Sequence, residues 1–303
     1  MGSRTTIGTM SLAEDETVSQ LIALAKREDL GAGDLTSGLL PQASAVADFR
    51  LVAKQPGVFA GREIAPRVIH AYDSSILMEW SAAGTDGSPI ESIPTELAMI
   101  RGPLGAVLSA ERVMLNFLQR LCGVATLTRS FVDAVAGTGA KILDTRKTTP
   151  GWRALEKYAV HCGGGSSHRA GLFDAVLIKD NHLAGVPTDR LAAAVFQMLN
   201  TLSVSGARPT FIEIEAADLS QVAELLKVVG IDAVLLDNFT IDAIREAVDL
   251  RDHMGLGGKV AFEASGGVTL QTVRAIAETG VERISVGALT HSAAAIDLSL
   301  ERI

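Results

Sequence analysis

Lys141-Ile142-Leu143-Asp144-Thr145-Arg146-Lys147 sets the pattern on which the second half of the chain is built. A short apolar run closes on a polar cluster, and a helix-like stretch follows. The same unit recurs at Ala175–Ile178 before Lys179-Asp180-Asn181, at Phe211–Ile214 before Glu215, and at Ala233–Leu236 before Asp237-Asn238. It returns at Val260–Ala264 before Ser265-Gly266-Gly267 and at Ile284–Val286 before Gly287-Ala288. Near-continuous apolar strands alternating with helices are what a parallel sheet covered on both faces requires. Six such units predict a βα-barrel. A doubly wound open sheet competes with it, but no G-x-G-x-x-G turn follows a first strand to support that architecture.

Upstream, Ser109 reads as the N-cap of a helix over Ala110–Leu121. Val113, Met114, Phe117, Leu118 and Leu121 share one face of it, and Arg112, Asn116 and Arg120 another. Before residue 110 the chain is irregular. A helix is expected around Thr17–Arg27, where Val18, Leu21, Ile22 and Ala25 repeat at helical spacing. Strand-like runs follow at Phe49–Ala53 and Gly57–Ala60, with turn signals at Gly84–Pro89. This predicts a small α+β layer of mainly antiparallel strands. Met1-Gly2-Ser3-Arg4 is set aside from the fold reading.

Composition bounds the function. Of 303 residues, 48% are hydrophobic, enough for a real core, which excludes wholesale disorder. The net charge of −8 argues against a general nucleic-acid binder, which carries a basic face. No apolar run reaches the roughly 18 residues of a membrane span, and no signal-peptide core opens the chain. Cys122 and Cys162 are too few for a disulfide framework and lack zinc-site spacing. A soluble, cytoplasmic protein with neither nucleic-acid nor membrane partner is expected.

In a barrel of this kind the chemistry sits at the C-terminal ends of the strands. The residues there are Asp144, Thr145, Arg146 and Lys147, then Lys179, Glu215, Asp237, Ser265-Gly266-Gly267 and Gly287. The loop after Gly163-Gly164-Gly165-Ser166-Ser167 adds His168 and Arg169. An acidic protein has thus gathered cations at one mouth, where like charges repel by about a kcal/mol each even in water. A multiply anionic ligand, carrying carboxylates, phosphates or both, would neutralise them. Arginine suits bidentate capture of carboxylate, and lysine serves as a point charge. The glycine turns after the last two strands, with a helix N-terminus nearby, predict a phosphate monoester held by backbone N–H groups. Glu215 and Asp237, the lone acids, could accept from ribose hydroxyls or help hold a Mg²⁺ that the substrate's phosphates also bind. Nothing resembles a dedicated protein metal cage. Taken singly, each feature has a plain structural alternative: a surface turn, a tight Gly-Gly bend, a solvated Arg112. Their co-location carries the functional reading.

Eight or so ordered motifs carry a resemblance over nearly the whole chain. They are Asp144-Thr145-Arg146-Lys147-Thr148-Thr149-Pro150-Gly151, Gly163–Gly165 with His168-Arg169, and Leu177-Ile178-Lys179-Asp180-Asn181-His182. Glu213-Ile214-Glu215, Leu235-Leu236-Asp237-Asn238-Phe239, Glu263-Ala264-Ser265-Gly266-Gly267 and Val286-Gly287-Ala288-Leu289-Thr290-His291-Ser292 continue the set. Upstream stand Glu28-Asp29-Leu30-Gly31 with Gly33-Asp34, then Gly61 and Glu63, and Glu111-Arg112. Together they resemble quinolinate phosphoribosyltransferase, the carboxylating nicotinate-nucleotide pyrophosphorylase family of NAD synthesis.

The resemblance implies an α/β protein with an N-terminal α/β sandwich and a C-terminal incomplete α/β barrel. We place the sandwich at residues 1–110, with 293–303 expected to pack with it, and the barrel at 111–292. It implies a homodimer whose sites borrow residues from the partner. It also implies that quinolinate and 5-phosphoribosyl-1-pyrophosphate, with Mg²⁺, give nicotinate mononucleotide, pyrophosphate and CO₂. By matched position, Arg146, His168, Arg169 and Lys179 would bind the two quinolinate carboxylates, with Thr145 beside them and Arg112 reaching in from the partner. Lys147 would contact the phosphoribosyl substrate, and Glu215 with Asp237 its ribose. Ser265-Gly266-Gly267 and Val286-Gly287-Ala288 would hold its 5-phosphate. Lys147, Glu215 and Asp237 are the expected catalytic residues. The nearest rival acts on another anionic ring such as nicotinate, which needs fewer cations. A non-catalytic anion-binding relative would not need Lys147, Glu215 and Asp237 together.

Overall fold

The computed structural model describes Leu12 and residues 15–303. Met1-Gly2-Ser3-Arg4 lies outside the described residues. In chain order the first strands are β1 (Val46–Ala53), β2 (Gly57–Val58), β3 (Leu77–Trp80), β4 (Pro89–Ile90) and β5 (Thr95–Pro103). Then come β6 (Lys141–Leu143), β7 (Val176–Ile178), β8 (Ile212–Ala216), β9 (Ala233–Asp237), β10 (Ala261–Ser265), β11 (Arg283–Ser285) and β12 (Leu298–Arg302). The chain forms two compact units. One comprises Ser130–Arg146 and Ser166–Gly287; the other holds the described residues before 130, with Lys147–Gly165 and Ala288–Ile303.

The unit containing the N-terminal half is an antiparallel sheet in the order β12-β1-β5-β3, with β2 and β4 paired beside it. The last strand, β12, is drawn from the end of the chain, Phe49 facing Arg302 across the ladder. The first helix covers Glu16–Leu30, with Asp15 capping the Val18 N–H. The helix expected at Ala110–Leu121 is one long helix, Leu104–Ala134, running through residue 110. Ser109 therefore lies inside it and is no N-cap. The helix begins directly after β5, and its orphan Leu104 and Gly105 N–H groups donate to the carbonyls of Ala45 and Ala43 at 2.9 and 2.8 Å. Freed from capping, the Ser109 hydroxyl donates to Asp34 Oδ2 at 2.8 Å.

The other unit is a six-stranded parallel sheet in the order β6-β11-β10-β9-β8-β7. No ladder among the described residues joins β7 back to β6, so the barrel is open there. Each apolar run read from the sequence forms one of these strands, shifted by a residue or two at its ends. Register explains how the strands reconcile burial with chemistry. Ile142, Ile284, Ala264 with Leu236, and Phe262 with Val234 and Ile214, pair across the ladders on one buried apolar face. The opposite face is not apolar. Lys141, Arg283, Glu263, Leu235 and Glu215 fall in one register row, with Glu213 one pleat earlier and Asp237 one pleat later. Among the described residues no helix is long and apolar enough to cross a membrane.

Candidate active site

The C-terminal ends of the parallel strands bring together Thr145, Arg146, Lys179, Glu215, Asp237, Ser265, Gly266, Gly267, Val286 and Gly287, with His168 and Arg169 entering from the adjoining loop. Lys147 and Ala288, the next residues after Arg146 and Gly287, belong to the other compact unit, as does Arg112.

Asp144, fully buried at the end of β6, organises the loop. Its Oδ1 accepts from the His168 N–H at 2.9 Å and its Oδ2 from the Ser167 hydroxyl at 3.4 Å, while a parallel bridge ties Leu143 to Ser166. Past His168 the loop turns on Asp174, whose carboxylate accepts from the Ala170 and Gly171 N–H groups at 2.7 and 2.9 Å. Arg169 is thereby held buried near Arg146. Its guanidinium sits below its ordinary pKa because of burial, then because of the positive charge of Arg146; Asp174 and Glu213 act the other way. Arg146 is half-buried, and its Nε is a buried donor without a hydrogen-bond partner among the described residues. A donor in that condition costs about 1–3 kcal/mol until an acceptor arrives. Two guanidinium groups that repel each other, one with an idle donor, form a site for an anion.

Next along the rim, Lys179 at the end of β7 meets Glu215 in β8, Nζ to Oε2 3.2 Å. Asp237 ends β9, and the side-chain amide of Asn238 donates to its Oδ2 at 2.9 Å. Ser265 faces Asp237 across the ladder and opens the glycine turn. Gly266 must be glycine: its φ is +96°, and a Cβ there would fall 2.1 Å from Asn238 Oδ1. Its neighbour Gly267 also has positive φ, +58°. The turn thus runs bare backbone along the rim beside the two acids. The helices after β10 and β11 are short, Val273–Ala277 and Ala288–His291.

Within the other unit, the segment carrying Lys147 is anchored by contacts that the sequence does not show. The Thr290 hydroxyl donates to the Lys147 carbonyl at 2.7 Å. Glu156, fully buried, accepts from the Thr149 N–H and hydroxyl at 3.0 and 2.9 Å and from Arg120 Nη2 at 2.8 Å. Arg120 also donates to the carbonyls of Ala293, at 2.7 Å, and Thr290. Arg120, which shares a helix face with Arg112 and Asn116 by its spacing, is a half-buried brace. Arg112 and Asn116 are exposed.

The sequence also left Glu213, Glu263 and Arg283 without roles. Their signal was an acid recurring at alternate positions inside otherwise apolar strands. His168 Nε2 lies 2.9 Å from Glu213 Oε2 and 3.4 Å from Glu263 Oε1, and Arg283 Nε donates to Glu263 Oε2 at 2.7 Å. His168, Glu213 and Glu263 have the proximity of metal ligands, but Arg283 already supplies the cation there. Both ring nitrogens of His168 are engaged, since Nδ1 accepts from the Arg169 N–H at 2.7 Å. The imidazole, expected to bind a substrate carboxylate, faces two protein carboxylates. Cys122 is buried, its thiol pushed up to about 12 by burial, and neither cysteine forms a disulfide.

Glu215 and Asp237 are two carboxylates on adjacent strands, each with one oxygen already accepting. They are too few to cage a cation, and fit a Mg²⁺ that arrives on a substrate's phosphates.

Comparison with known proteins follows this geometry closely. The profile of the quinolinate phosphoribosyl transferase N-terminal domain matches residues 34–122, and that of the C-terminal domain residues 124–301. The chain is 37% identical over 299 residues to quinolinate phosphoribosyltransferase (decarboxylating) 1b of Nicotiana tabacum, covering 93% of this chain and 81% of that protein. It is 38% identical over 275 residues to a probable nicotinate-nucleotide pyrophosphorylase (carboxylating) of Bacillus subtilis, covering 90% and 89%. The solved nicotinate-nucleotide pyrophosphorylase of Francisella tularensis superposes with a TM-score of 0.84 at 33% identity, over 100% of both chains. With a strand-end anion site, a glycine turn and both domain profiles matched, this chain belongs to the quinolinate phosphoribosyltransferase family.

Proposed function

We propose that the chain transfers a phosphoribosyl group to quinolinate and decarboxylates the product, giving nicotinate mononucleotide, pyrophosphate and CO₂ for NAD synthesis. The observation that carries this reading is one rim holding an anion clamp, two acids and a bare-backbone turn side by side. Arg146, Arg169 and Lys179 bind the two ring carboxylates, with Thr145 at the same strand end. His168 braces that clamp from beneath. The Ser265-Gly266-Gly267 turn and Val286-Gly287-Ala288 hold the 5-phosphate.

Cleavage of the bond from ribose C1 to pyrophosphate builds positive charge on the sugar ring, as in glycoside hydrolysis. Glu215 and Asp237 accept from the ribose hydroxyls and stabilise that charge, while Lys147 stabilises the departing pyrophosphate. Glu215 and Asp237 would help hold a Mg²⁺ that arrives with the substrate, and bound there it would offset phosphate charge. The clamp aligns the pyridine nitrogen for attack from the opposite face. Once ribosylated, the ring nitrogen is cationic and stabilises the electron pair left on the adjacent carbon when its carboxylate departs as CO₂; that carbon then takes a proton from solvent to give the product. No covalent enzyme intermediate is required. We further propose a cytoplasmic homodimer in which the exposed Arg112 completes the partner's clamp.

The test is incubation with quinolinate, 5-phosphoribosyl-1-pyrophosphate and Mg²⁺, followed for CO₂ and nicotinate mononucleotide together. Nicotinate in place of quinolinate is the control. Equal turnover of nicotinate, or no CO₂, would refute the reading.

A further inference from the structure

The buried charges beneath the clamp have no partner in solvent. Glu213 and Glu263 are fully buried, and Arg283 and His168 are mostly so. Three of the four are only partly satisfied: Glu213 Oε1, Glu263 Oε1 and Arg283 Nη2 have no hydrogen-bond partner among the described residues. Replacing such a cluster by apolar side chains of the same volume often costs a fold nothing. Stability alone therefore does not account for it.

Its geometry points upward. Glu213 and Glu263 hold His168 from below through Nε2, and the ring also rests edge-on against Phe211, with centroids 5.2 Å apart. Arg283 stacks over the same Phe211 ring at 5.1 Å and anchors Glu263. On its other side His168 accepts the Arg169 N–H at Nδ1. A continuous line of contacts thus runs from β8, β10 and β11 through one imidazole to the main chain of a clamp arginine. Glu213 and Glu263 also stand one pleat before Glu215 and Ser265 on the same strands.

We infer that Glu213, Glu263 and Arg283 are positioning residues: they lock the His168 ring so that Nδ1 fixes the Arg169 main chain and aims its guanidinium at a ring carboxylate. The inference rests on the quinolinate reading above.

The electrostatics fit a locked ring. Burial pulls the imidazole pKa down, and the hydrogen bonds and charges of Glu213 and Glu263 outweigh it, lifting it to about 9. Burial and the neighbouring Glu263 push Glu213 up, whereas His168 and Arg283 override burial at Glu263 and bring it to about 2. A second ring proton would sit on Nδ1, the atom that now accepts from Arg169. In the neutral ring the main-chain contact selects the tautomer with its proton on Nε2.

The test compares Glu213→Gln and Glu263→Gln with the wild-type enzyme in steady-state kinetics. The expected result is a rise of about tenfold or more in the quinolinate KM. kcat and the 5-phosphoribosyl-1-pyrophosphate KM should stay within about threefold, a split that general loosening would not give. An unchanged quinolinate KM in both variants, or parallel loss for both substrates, overturns the inference. Should the variants not fold, histidine ¹⁵N spectra of the wild-type enzyme decide. A His168 Nε2 that carries its proton in a hydrogen bond at neutral pH supports the lock, and an Nε2 without a proton sinks it. If wild-type enzyme releases no CO₂ from quinolinate, the functional reading has failed instead.

Discussion

Lys179 Nζ stands 3.2 Å from Glu215 Oε2, so the proposed clamp cation and the proposed ribose-binding acid neutralise each other across adjacent strand ends. The pairing makes opposite demands on the two residues. Lys179→Ala should raise the quinolinate KM by about tenfold or more, since a point charge is lost from the clamp. Glu215→Gln should leave quinolinate affinity intact and lower kcat by about a hundredfold. Calorimetric titration with quinolinate separates the two, and equal weakening in both variants would contradict these roles.

Lys147→Ala should lower turnover by about a hundredfold or more while the melting temperature holds, as expected for one preorganised stabilising group. Near-normal activity would remove Lys147 from the mechanism. Arg120→Ala acts differently: it strands the fully buried Glu156 and should destabilise by about 3 kcal/mol in urea titration. A loss below about 1 kcal/mol would mean that Thr149 alone satisfies the carboxylate.

Gly266→Ala places a Cβ against Asn238 Oδ1 at a φ of +96°. The strain should cost about 2 kcal/mol of stability, read by denaturant unfolding. The 5-phosphoribosyl-1-pyrophosphate KM should rise more than the quinolinate KM. The reverse order would move the phosphate site elsewhere.

Asp34 accepts from the Ser37 hydroxyl and N–H and from Ser109, which hold its pKa at about 2 rather than 3.8. A depressed carboxylate stabilises the fold above its unfolded pKa, and that contribution fades as pH falls through the folded value. Wild-type stability should therefore decline between about pH 4 and pH 2 more steeply than that of Asp34→Ala. Identical slopes would show that Asp34 takes no part.

Arg112 is exposed on its helix, and the proposed dimer gives it work in the partner's site. Mixed dimers of inactive Arg112→Ala and inactive Lys179→Ala subunits should regain activity. Verified heterodimers without activity would place the whole site in one chain.

Much of this protein was legible before any coordinates. Each apolar run ending in a polar cluster became a parallel strand, because alternation of strand and helix is set by local hydrophobic pattern. Arg146, Lys179, Glu215, Asp237 and Gly266 were readable for the same reason: each lies within three residues of the C-terminal end of a strand. The extent of the helix through Leu104–Ala134 was not, since its first N–H groups find carbonyls on a segment some sixty residues earlier in the chain. Ser109 consequently looked like a cap.

Sequence by itself determined the strand pattern, the rim residues and the family. Only tertiary structure decided what faces His168, because Glu213, Glu263 and Arg283 lie on three separate strands and meet through ladder register. It likewise decided that Arg120 is the partner of a buried acid. A side chain's protonation and role depend on what surrounds it, and those surroundings come from residues far apart in the chain.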